Sequence, residues 1–389
     1  MLDKFIPVDK SSAIRAFLFS LMTDESVEVI CRGELPDDVR TAIKCLGSFG
    51  KTVAENGGSF RISGGVVQPA AAIDCGNSAT VMHILAGISL RLGFDLKLTG
   101  DKSLMSRSHS DFYEAAELYR GNFVETALAR ESAQLKSFHL IAMLCAGGKL
   151  HFKAATRRNT EELLLKMGAK LIENRDSVEV FPAEKLHGYS VEVKKDPSAA
   201  FIAACAALIF GKPFEIHDVY ADDSRMVPFV LLEKAGFDVK FRAENGAFTV
   251  CGTPGSGEKG CDTAIDGTLV PAVIDEIPFL AFMTASAGRK FSVRNAEWLR
   301  NKESDRIKES VKRLSLLFET EEFDDGFALC GMKKSCVKVV FPHSLDHRME
   351  MLSFLMSKYC GAPFEMNDSY KISFPLFYEL AGFLEENGR

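Results

Sequence analysis

Six stretches of this 389-residue chain share one design, in which a polar or charged first turn leads into an apolar run rich in small residues. They are KSSAIRAFLFSLM from Lys10, GNSATVMHILAGISL from Gly76, ESAQLKSFHLIAMLCAGG from Glu131, DPSAAFIAACAALIFG from Asp196, IDEIPFLAFMTASAG from Ile274 and DHRMEMLSFLMSKYCG from Asp346. None reaches the roughly 20 apolar residues that span a bilayer, and a helix apolar nearly all round belongs inside a domain. The pattern predicts six buried helices of a soluble core.

A second pattern alternates with the first: an amphipathic helix, a glycine-containing stop, then two short strands about a polar turn. It recurs as DDVRTAIKCLGSFGKTVAENGGSFRI, NTEELLLKMGAKLIENRDSVEVF, MVPFVLLEKAGFDVKFRAENGAFTV and SDRIKESVKRLSLLFETEEFDDGFALC. Irregular spacing predicts about six duplicated α/β units with inserts of different length, rather than a solenoid of fixed period. Two units are incomplete in the sequence, because the span from Arg107 to Ser132 is short and the last unit stops at Gly388 and Arg389.

Length favours two domains, and a composition of 47% hydrophobic and 26% charged residues describes a soluble globular protein. A formal net charge of −6 gives no global attraction to nucleic acid or to an anionic membrane, so any bound anion must be caught by a local basic cluster. The 10 cysteines include no Cys-x-x-Cys and no Cys/His spacing of zinc-site type, so structural zinc is not expected. The start MLDKFIPVDKSS has neither a signal-peptide nor a transit-peptide pattern, which predicts a cytoplasmic protein with free thiols.

A helix N-terminus exposes unpaired N–H groups and partial positive charge, a ready site for phosphate or carboxylate. Ser, Asp and Asn at the six starts read equally well as ordinary N-caps. Lys10, Arg15, Arg107, Lys302, Arg306 and Arg348, however, lie near those starts or in short segments facing them, where an acidic protein has no solubility reason to place cations. Arginine forks bind carboxylate and phosphate through paired donors, so the set suits ligands with several negative charges.

Read in order, DKSSAIR, LPDDVRTAIKCLGSFG, DCGNSAT, GDKSLMSR, DPSAAF, IDEIP, LRNKESDRIKES, DHRMEM and ISFPLFYELAGF resemble the signatures of the EPSP synthase family of enolpyruvyl transferases over nearly the whole chain. The resemblance implies an inside-out α/β barrel architecture of two domains, each of three βαβαββ units with buried parallel helices. Residues 1–9 plus 196–389 would form one domain and 10–195 the other, with the active site in the interdomain cleft. It further implies transfer of the enolpyruvyl group of phosphoenolpyruvate to the 5-hydroxyl of shikimate 3-phosphate, through a tetrahedral ketal phosphate, without cofactor or metal. These two small molecules would be the partners of a monomer that binds neither nucleic acid nor membrane.

Residue by residue, the resemblance implies a shikimate 3-phosphate set of Lys10, Ser11, Arg15, Ser132, Ala133, Gln134, Thr156, Asp275 and Lys302. The phosphoenolpyruvate set is Lys10, Asn77, Ala79, Thr80, Arg107, Gln134, Arg306, His347 and Arg348. Asp275 is the candidate base for the hydroxyl, on the first turn of a buried helix, with Glu276 the alternative if the register shifts by one. Glu303 and Lys302 both stand as candidates for proton delivery to the methylene carbon, since a buried group among opposite charges can be tuned towards neutrality. Lys302, Glu303 and Arg306 would project to overlapping faces of one helical turn, with intrahelical ion pairing as the alternative to a binding role.

Some positions depart from the family pattern. Ala79 replaces a glycine, which should crowd the phosphoenolpyruvate site and reduce glyphosate sensitivity. His83 stands for an arginine and Ile372 for a lysine, with Lys371 adjacent; Ala133, Asn159 and Trp298 replace polar or ionisable residues. These departures allow a second reading, a catalytically weak homologue retained for binding or regulation; a third is the related UDP-N-acetylglucosamine enolpyruvyl transferase.

Overall fold

The apolar runs do fold as helices, and five of the six start behind a side chain that caps them. In a computed structural model, residues 1–107, 114–119, 121–154, 156–244, 246–255, 260–333 and 339–386 are described. Internal contacts divide the chain into a continuous unit, Val8–Val193, and a discontinuous unit, Met1–Pro7 with Lys194–Arg389.

The continuous unit contains α1 (Lys10–Leu18), β1 (Val27–Cys31), α2 (Asp37–Ser48), β2 (Thr52–Asn56), β3 (Ser59–Ser63), β4 (Ile73–Asp74), α3 (Ala79–Leu92), β5 (Leu98–Thr99), α4 (Lys102–Ser106) and β6 (Val124–Ala127). It continues with α5 (Ala133–Met143), β7 (Gly148–His151), α6 (Asn159–Lys166), β8 (Leu171–Glu173), β9 (Ser177–Val180) and β10 (Ser190–Val193). In the sheet ordered β6-β7-β9-β8, β6 runs parallel to β7 across the buried α5, and β8 and β9 form the antiparallel pair after the amphipathic α6. The sheet β10-β1-β3-β2 repeats this arrangement, with the last strand of the unit supplying the parallel partner of β1. Apolar faces of α1, α3 and α5 meet in one core that includes Ile14, Phe17, Ile84, Leu85, Phe138 and Ile141.

The discontinuous unit contains α7 (Pro197–Ile209), β11 (Phe214–Tyr220), α8 (Asp223–Lys234), β12 (Asp238–Glu244), β13 (Ala247–Thr253), β14 (Thr263–Ile265), α9 (Val270–Val273) and α10 (Ile277–Ser286). After these come β15 (Phe291–Val293), α11 (Arg306–Leu314), β16 (Phe318–Phe323), β17 (Gly326–Met332), α12 (His347–Cys360) and α13 (Phe377–Glu386). Its sheet β14-β15-β17-β16 keeps the same order, while β11-β13-β12 is completed by a parallel bridge between Lys195 and Val219. Helix α7 is buried along eleven residues from Pro197 to Ala207, and its core extends through Phe229, Leu280, Phe282, Leu352 and Leu355.

Four units therefore carry the repeated strand arrangement, and two are reduced. Among the described residues, only the short parallel pair β4 and β5 is formed around α3 and no strand follows β17. Residues 108–113 and 120 of the short Arg107–Ser132 span, and Gly388 and Arg389, lie outside the described residues. Among the described residues no single helix is long and apolar enough to cross a membrane.

Asp9 caps α1 by accepting from the Ser12 N–H at 2.7 Å, and Asp196 caps α7 through the Ala199 N–H at 3.0 Å. Ser78 and Ser132 cap α3 and α5, and Asp346 caps α12. Helix α10 is the exception, with no side-chain cap, for Glu276 at its start is turned elsewhere.

Helices α3 and α5 of the continuous unit approach each other closely at Gly87 of α3. A Cβ there would lie 3.0 Å from the Phe138 carbonyl oxygen and 3.2 Å from the Ile141 Cβ on α5. Gly87→Val is accordingly expected to destabilise the protein by about 1–3 kcal/mol through overpacking. A urea midpoint equal to that of the wild type would show that the two helices can separate there without loss.

Candidate active site

Arg306, the first residue of α11, is 1% exposed and meets three carboxylates. Its Nε donates to Asp346 Oδ2 at 2.9 Å and its Nη2 to Asp346 Oδ1 at 3.3 Å, a two-point contact. Nη1 donates to Asp275 Oδ1 at 3.1 Å and Nη2 also to Glu303 Oε2 at 2.6 Å. Lys302 Nζ stands 3.8 Å from the same Asp275 oxygen. Burial by itself would weaken the hold of Arg306 on its proton, but Asp346, Glu303 and Asp275 outweigh it and raise the group above its already high value. Burial likewise pushes the Asp346 carboxyl up, yet the charge of Arg306 prevails and holds it below the usual range.

Exposure sorts these groups by what they can reach. The Asp275, Glu303 and Lys302 side chains are 20%, 20% and 27% exposed, whereas those of Arg306 and Asp346 are 1% and 0%. A buried guanidinium and carboxylate thus support two carboxylates and an ammonium that still meet solvent. Asp346 is saturated, since Ser304 Oγ donates to Oδ2 at 2.8 Å and the Arg348 N–H to Oδ1 at 3.0 Å. Arg348 itself is buried, and its Nε has no hydrogen-bond partner, a donor poised for an acceptor. His347 is buried beside it at the start of α12.

Local backbone differs from the expectation of one helical turn through Lys302, Glu303 and Arg306. Lys302 is extended, at φ −92° and ψ −156°, and the helix begins only at Arg306 because Asp305 caps it through the Lys308 N–H at 3.0 Å. Side chains converge here from an irregular segment, not from a shared helix face. Asp275 likewise precedes α10, two residues before its first residue Ile277, instead of standing in its first turn. The adjacent carboxylates Asp275 and Glu276 meet different partners: Asp275 faces Arg306 and Lys302, whereas Glu276 is 1% exposed and hydrogen-bonds Ser198.

In the continuous unit the candidate residues form two groups. Around Arg15, which is 2% exposed, Nε donates to Thr160 Oγ1 at 2.8 Å, Nη1 to the Ser11 carbonyl at 2.8 Å and Nη2 to Ser137 Oγ at 2.7 Å. Arg157 Nη1 donates to Ser11 Oγ at 3.3 Å and Asn159 Nδ2 to Ser12 Oγ at 2.6 Å. Thr156 is buried with its hydroxyl unpartnered, beside a buried pair in which Lys136 Nζ lies 2.6 Å from Glu161 Oε1 and donates to the Thr156 carbonyl at 3.3 Å. Ser132 is the cap of α5 and Ala133 its first residue.

The second group gathers at α3. Gln134 Nε2 donates to Thr80 Oγ1 at 2.9 Å, and Arg107 Nη2 donates to Asn77 Oδ1 at 3.0 Å, while Asn77 Nδ2 donates to Asp101 Oδ2 at 2.7 Å. Ala79 opens α3, and its carbonyl accepts from His83 Nδ1 at 2.7 Å, which turns that imidazole back along its own helix. Lys10 Nζ pairs with Asp38 at 3.0 Å. Lys371, the neighbour of Ile372, pairs with Asp368 at 2.9 Å on the surface of the discontinuous unit, and Trp298 is half-buried in the 3-10 turn Glu297–Asn301.

A sequence profile of EPSP synthase (3-phosphoshikimate 1-carboxyvinyltransferase) matches residues 5–380. The 3-phosphoshikimate 1-carboxyvinyltransferase of Persephonella marina is 32% identical over 96% of this chain and 94% of its own length. The chain belongs to the EPSP synthase family. The corresponding protein of Helicobacter hepaticus is 28% identical, covering 96% of this chain and 93% of that one. An EPSP synthase of Acinetobacter baumannii, at 25% identity, shares the fold with a TM-score of 0.78 over 98% of this chain and 95% of that chain.

Within this EPSP synthase family member, sequence reasoning overlooked Asp346 and the Lys136–Glu161 pair. The first was signalled by its place before the His347–Arg348 helix start; the second by charged residues inside an apolar helix pattern. Removing the Asp346 charge leaves Arg306 buried and under-paired, so Asp346→Asn should destabilise the protein at pH 7 by about 3–5 kcal/mol. Because Arg306 holds the Asp346 carboxyl low, its contribution is complete above the unfolded value of about 3.9 and lost as pH falls through the folded one. The gap in urea midpoint between wild type and variant should therefore narrow as pH drops towards about 3. A gap of constant size over that window would contradict the assigned pairing.

Proposed function

We propose that this protein transfers the enolpyruvyl group of phosphoenolpyruvate to the 5-hydroxyl of shikimate 3-phosphate, releasing inorganic phosphate and forming 5-enolpyruvylshikimate 3-phosphate. The observation that carries the reading is the cluster of Asp275, Lys302 and Glu303 on the buried Arg306–Asp346 pair. Addition needs a base at the attacking hydroxyl and an acid at the methylene carbon, and the cluster offers two carboxylates and an ammonium within reach of solvent. In the forward step the hydroxyl oxygen bonds to C2 of phosphoenolpyruvate and loses its proton to Asp275, while C3 gains a proton from Glu303 or Lys302. Elimination then removes a proton from C3 and expels phosphate, which restores the enol double bond.

Binding roles divide by unit. In the continuous domain, taken as residues 10–195, Lys10, Ser11, Arg15, Ser132, Ala133, Gln134 and Thr156 are assigned to shikimate 3-phosphate. The unpartnered Thr156 hydroxyl and the capped start of α5 fit an anionic group there. Asn77, Ala79, Thr80, Arg107 and Gln134 are assigned to phosphoenolpyruvate, as are Arg306, His347 and Arg348 of the domain 1–9 plus 196–389. Action as a cytoplasmic monomer completes the reading, with support from the family resemblance. No step calls on a metal.

Phosphate release by the full chain, with each substrate omitted in turn, tests the assignment. Release should require both substrates, and Glu303→Gln should lower kcat by about 10²–10⁴-fold, the scale of a lost proton-transfer group. Release with either substrate alone would refute the reaction. Glyphosate supplies a second check, since the methyl of Ala79 at the first position of α3 narrows the assigned phosphoenolpyruvate loop. Half-inhibition should fall above the low micromolar range at subsaturating phosphoenolpyruvate, and inhibition inside that range would remove Ala79 from the site.

A further inference from the structure

The carboxylate next in sequence to Asp275 belongs to a different network. Glu276 accepts from Ser198 Oγ and lies 3.8 Å from Arg225 Nη1. Ser198, in the first turn of α7, also accepts from Arg225 Nη2 at 2.9 Å, so one hydroxyl links the carboxylate to the guanidinium. Arg225, in the first turn of α8, approaches the Asp196 cap of α7 at 3.9 Å. Three helix starts, those of α7, α8 and α10, are tied together by these side chains, and none of them touches Arg306.

Stability alone explains this arrangement poorly. Arg225 Nε and Nη1 and Glu276 Oε2 are buried without hydrogen-bond partners, although Arg225 and Glu276 are only 2% and 1% exposed. Unpaired buried polar atoms work against folding, and apolar residues of similar volume often serve as well or better. What the network does supply is direction. The Glu276 N–H donates to the Val273 carbonyl at 2.8 Å, closing a turn after α9, and the Glu276 side chain is drawn inward to Ser198. Within that closed turn, Asp275 is left facing Arg306 and Lys302.

We propose that Ser198, Arg225 and Glu276 are positioning residues for Asp275: by anchoring Glu276 they set the rotation of the turn at residues 274–276, and so the place of the Asp275 carboxylate. This rests on Asp275 acting in the reaction proposed above. Glu276 is then a support and does not itself exchange a proton with substrate.

The test compares kcat, KM for both substrates and melting temperature in full-length wild type, Ser198→Ala, Ser198→Thr, Glu276→Gln, Asp275→Asn and the Ser198→Ala/Asp275→Asn double variant. Ser198→Ala should lower kcat by about 10–100-fold with KM nearly unchanged, as expected of a misplaced catalytic group. Ser198→Thr, which keeps the hydroxyl, should recover most of that loss. Adding Ser198→Ala to Asp275→Asn should lower kcat no further, because the two act through one carboxylate. Losses that multiply fully, or a Ser198→Ala enzyme with wild-type kcat, would overturn the proposal. A Glu276→Gln loss as large as that of Asp275→Asn would make Glu276 a reacting group and overturn it too. Amide hydrogen exchange gives a readout that needs no turnover. Exchange at residues 273–277 should quicken in Ser198→Ala while α12 is unchanged, and equal exchange would overturn the positioning role even if the reaction were misassigned.

Discussion

A guanidinium taken out of water must be met by carboxylates, and Arg306 is met by three. Much of the discontinuous unit's chemistry depends on that constraint. Asp346 supplies the fully buried counter-charge and at the same time caps α12, so the start of the helix bearing His347 and Arg348 is fastened to the start of α11. Asp275 and Glu303 complete the shell from the side that solvent still reaches. A buried ion cluster of this kind is a weak source of stability compared with apolar packing, and its value lies in fixing the direction of charged groups. Arg306 holds two carboxylates side by side that would otherwise repel each other.

The same logic is repeated with neutral partners in the continuous unit. Arg15 is as buried as Arg225, and its Nε, Nη1 and Nη2 donate to the Thr160 hydroxyl, the Ser11 carbonyl and the Ser137 hydroxyl. Those acceptors come from three helices, α1, α5 and α6 or their first turns, and they fix the planar fork in place. Ser137 and Thr160 also bond each other at 2.7 Å, so the hydroxyls form a chain beneath the side chains assigned to the anionic ligand. Deeper along α5, burial drives His139 down to about 4, which keeps it neutral beside Tyr119 and adds no charge to the core.

Repetition of one supersecondary unit explains how so many helix starts became available for function. Each unit buries one apolar helix, and four of them cover it with a sheet whose antiparallel pair follows an amphipathic helix. The buried helix must begin with its N–H groups satisfied, and Asp9, Ser78, Ser132, Asp196 and Asp346 do so. Where no side chain caps, at α10, the nearby carboxylates are engaged in the two networks on either side of the turn. Units reduced in length, around α3 and α12, retain the buried helix and have fewer strands among the described residues.

The sequence by itself determined the repeated units, the six buried helices and, around Arg306, the charged residues Asp275, Lys302 and Glu303 but not Asp346. Hydrophobic period, small-residue runs and capping residues act within one turn or one strand, so they can be read from neighbours along the chain. It did not determine that Lys302 is extended, that Asp275 precedes its helix, or that Asp275 and Glu276 serve opposite networks. Those outcomes depend on groups far apart in sequence, such as Asp346 forty residues from Arg306 and Ser198 seventy-eight from Glu276. Only tertiary packing decides which of two adjacent carboxylates is desolvated, because the burial and the partner both come from elsewhere in the chain.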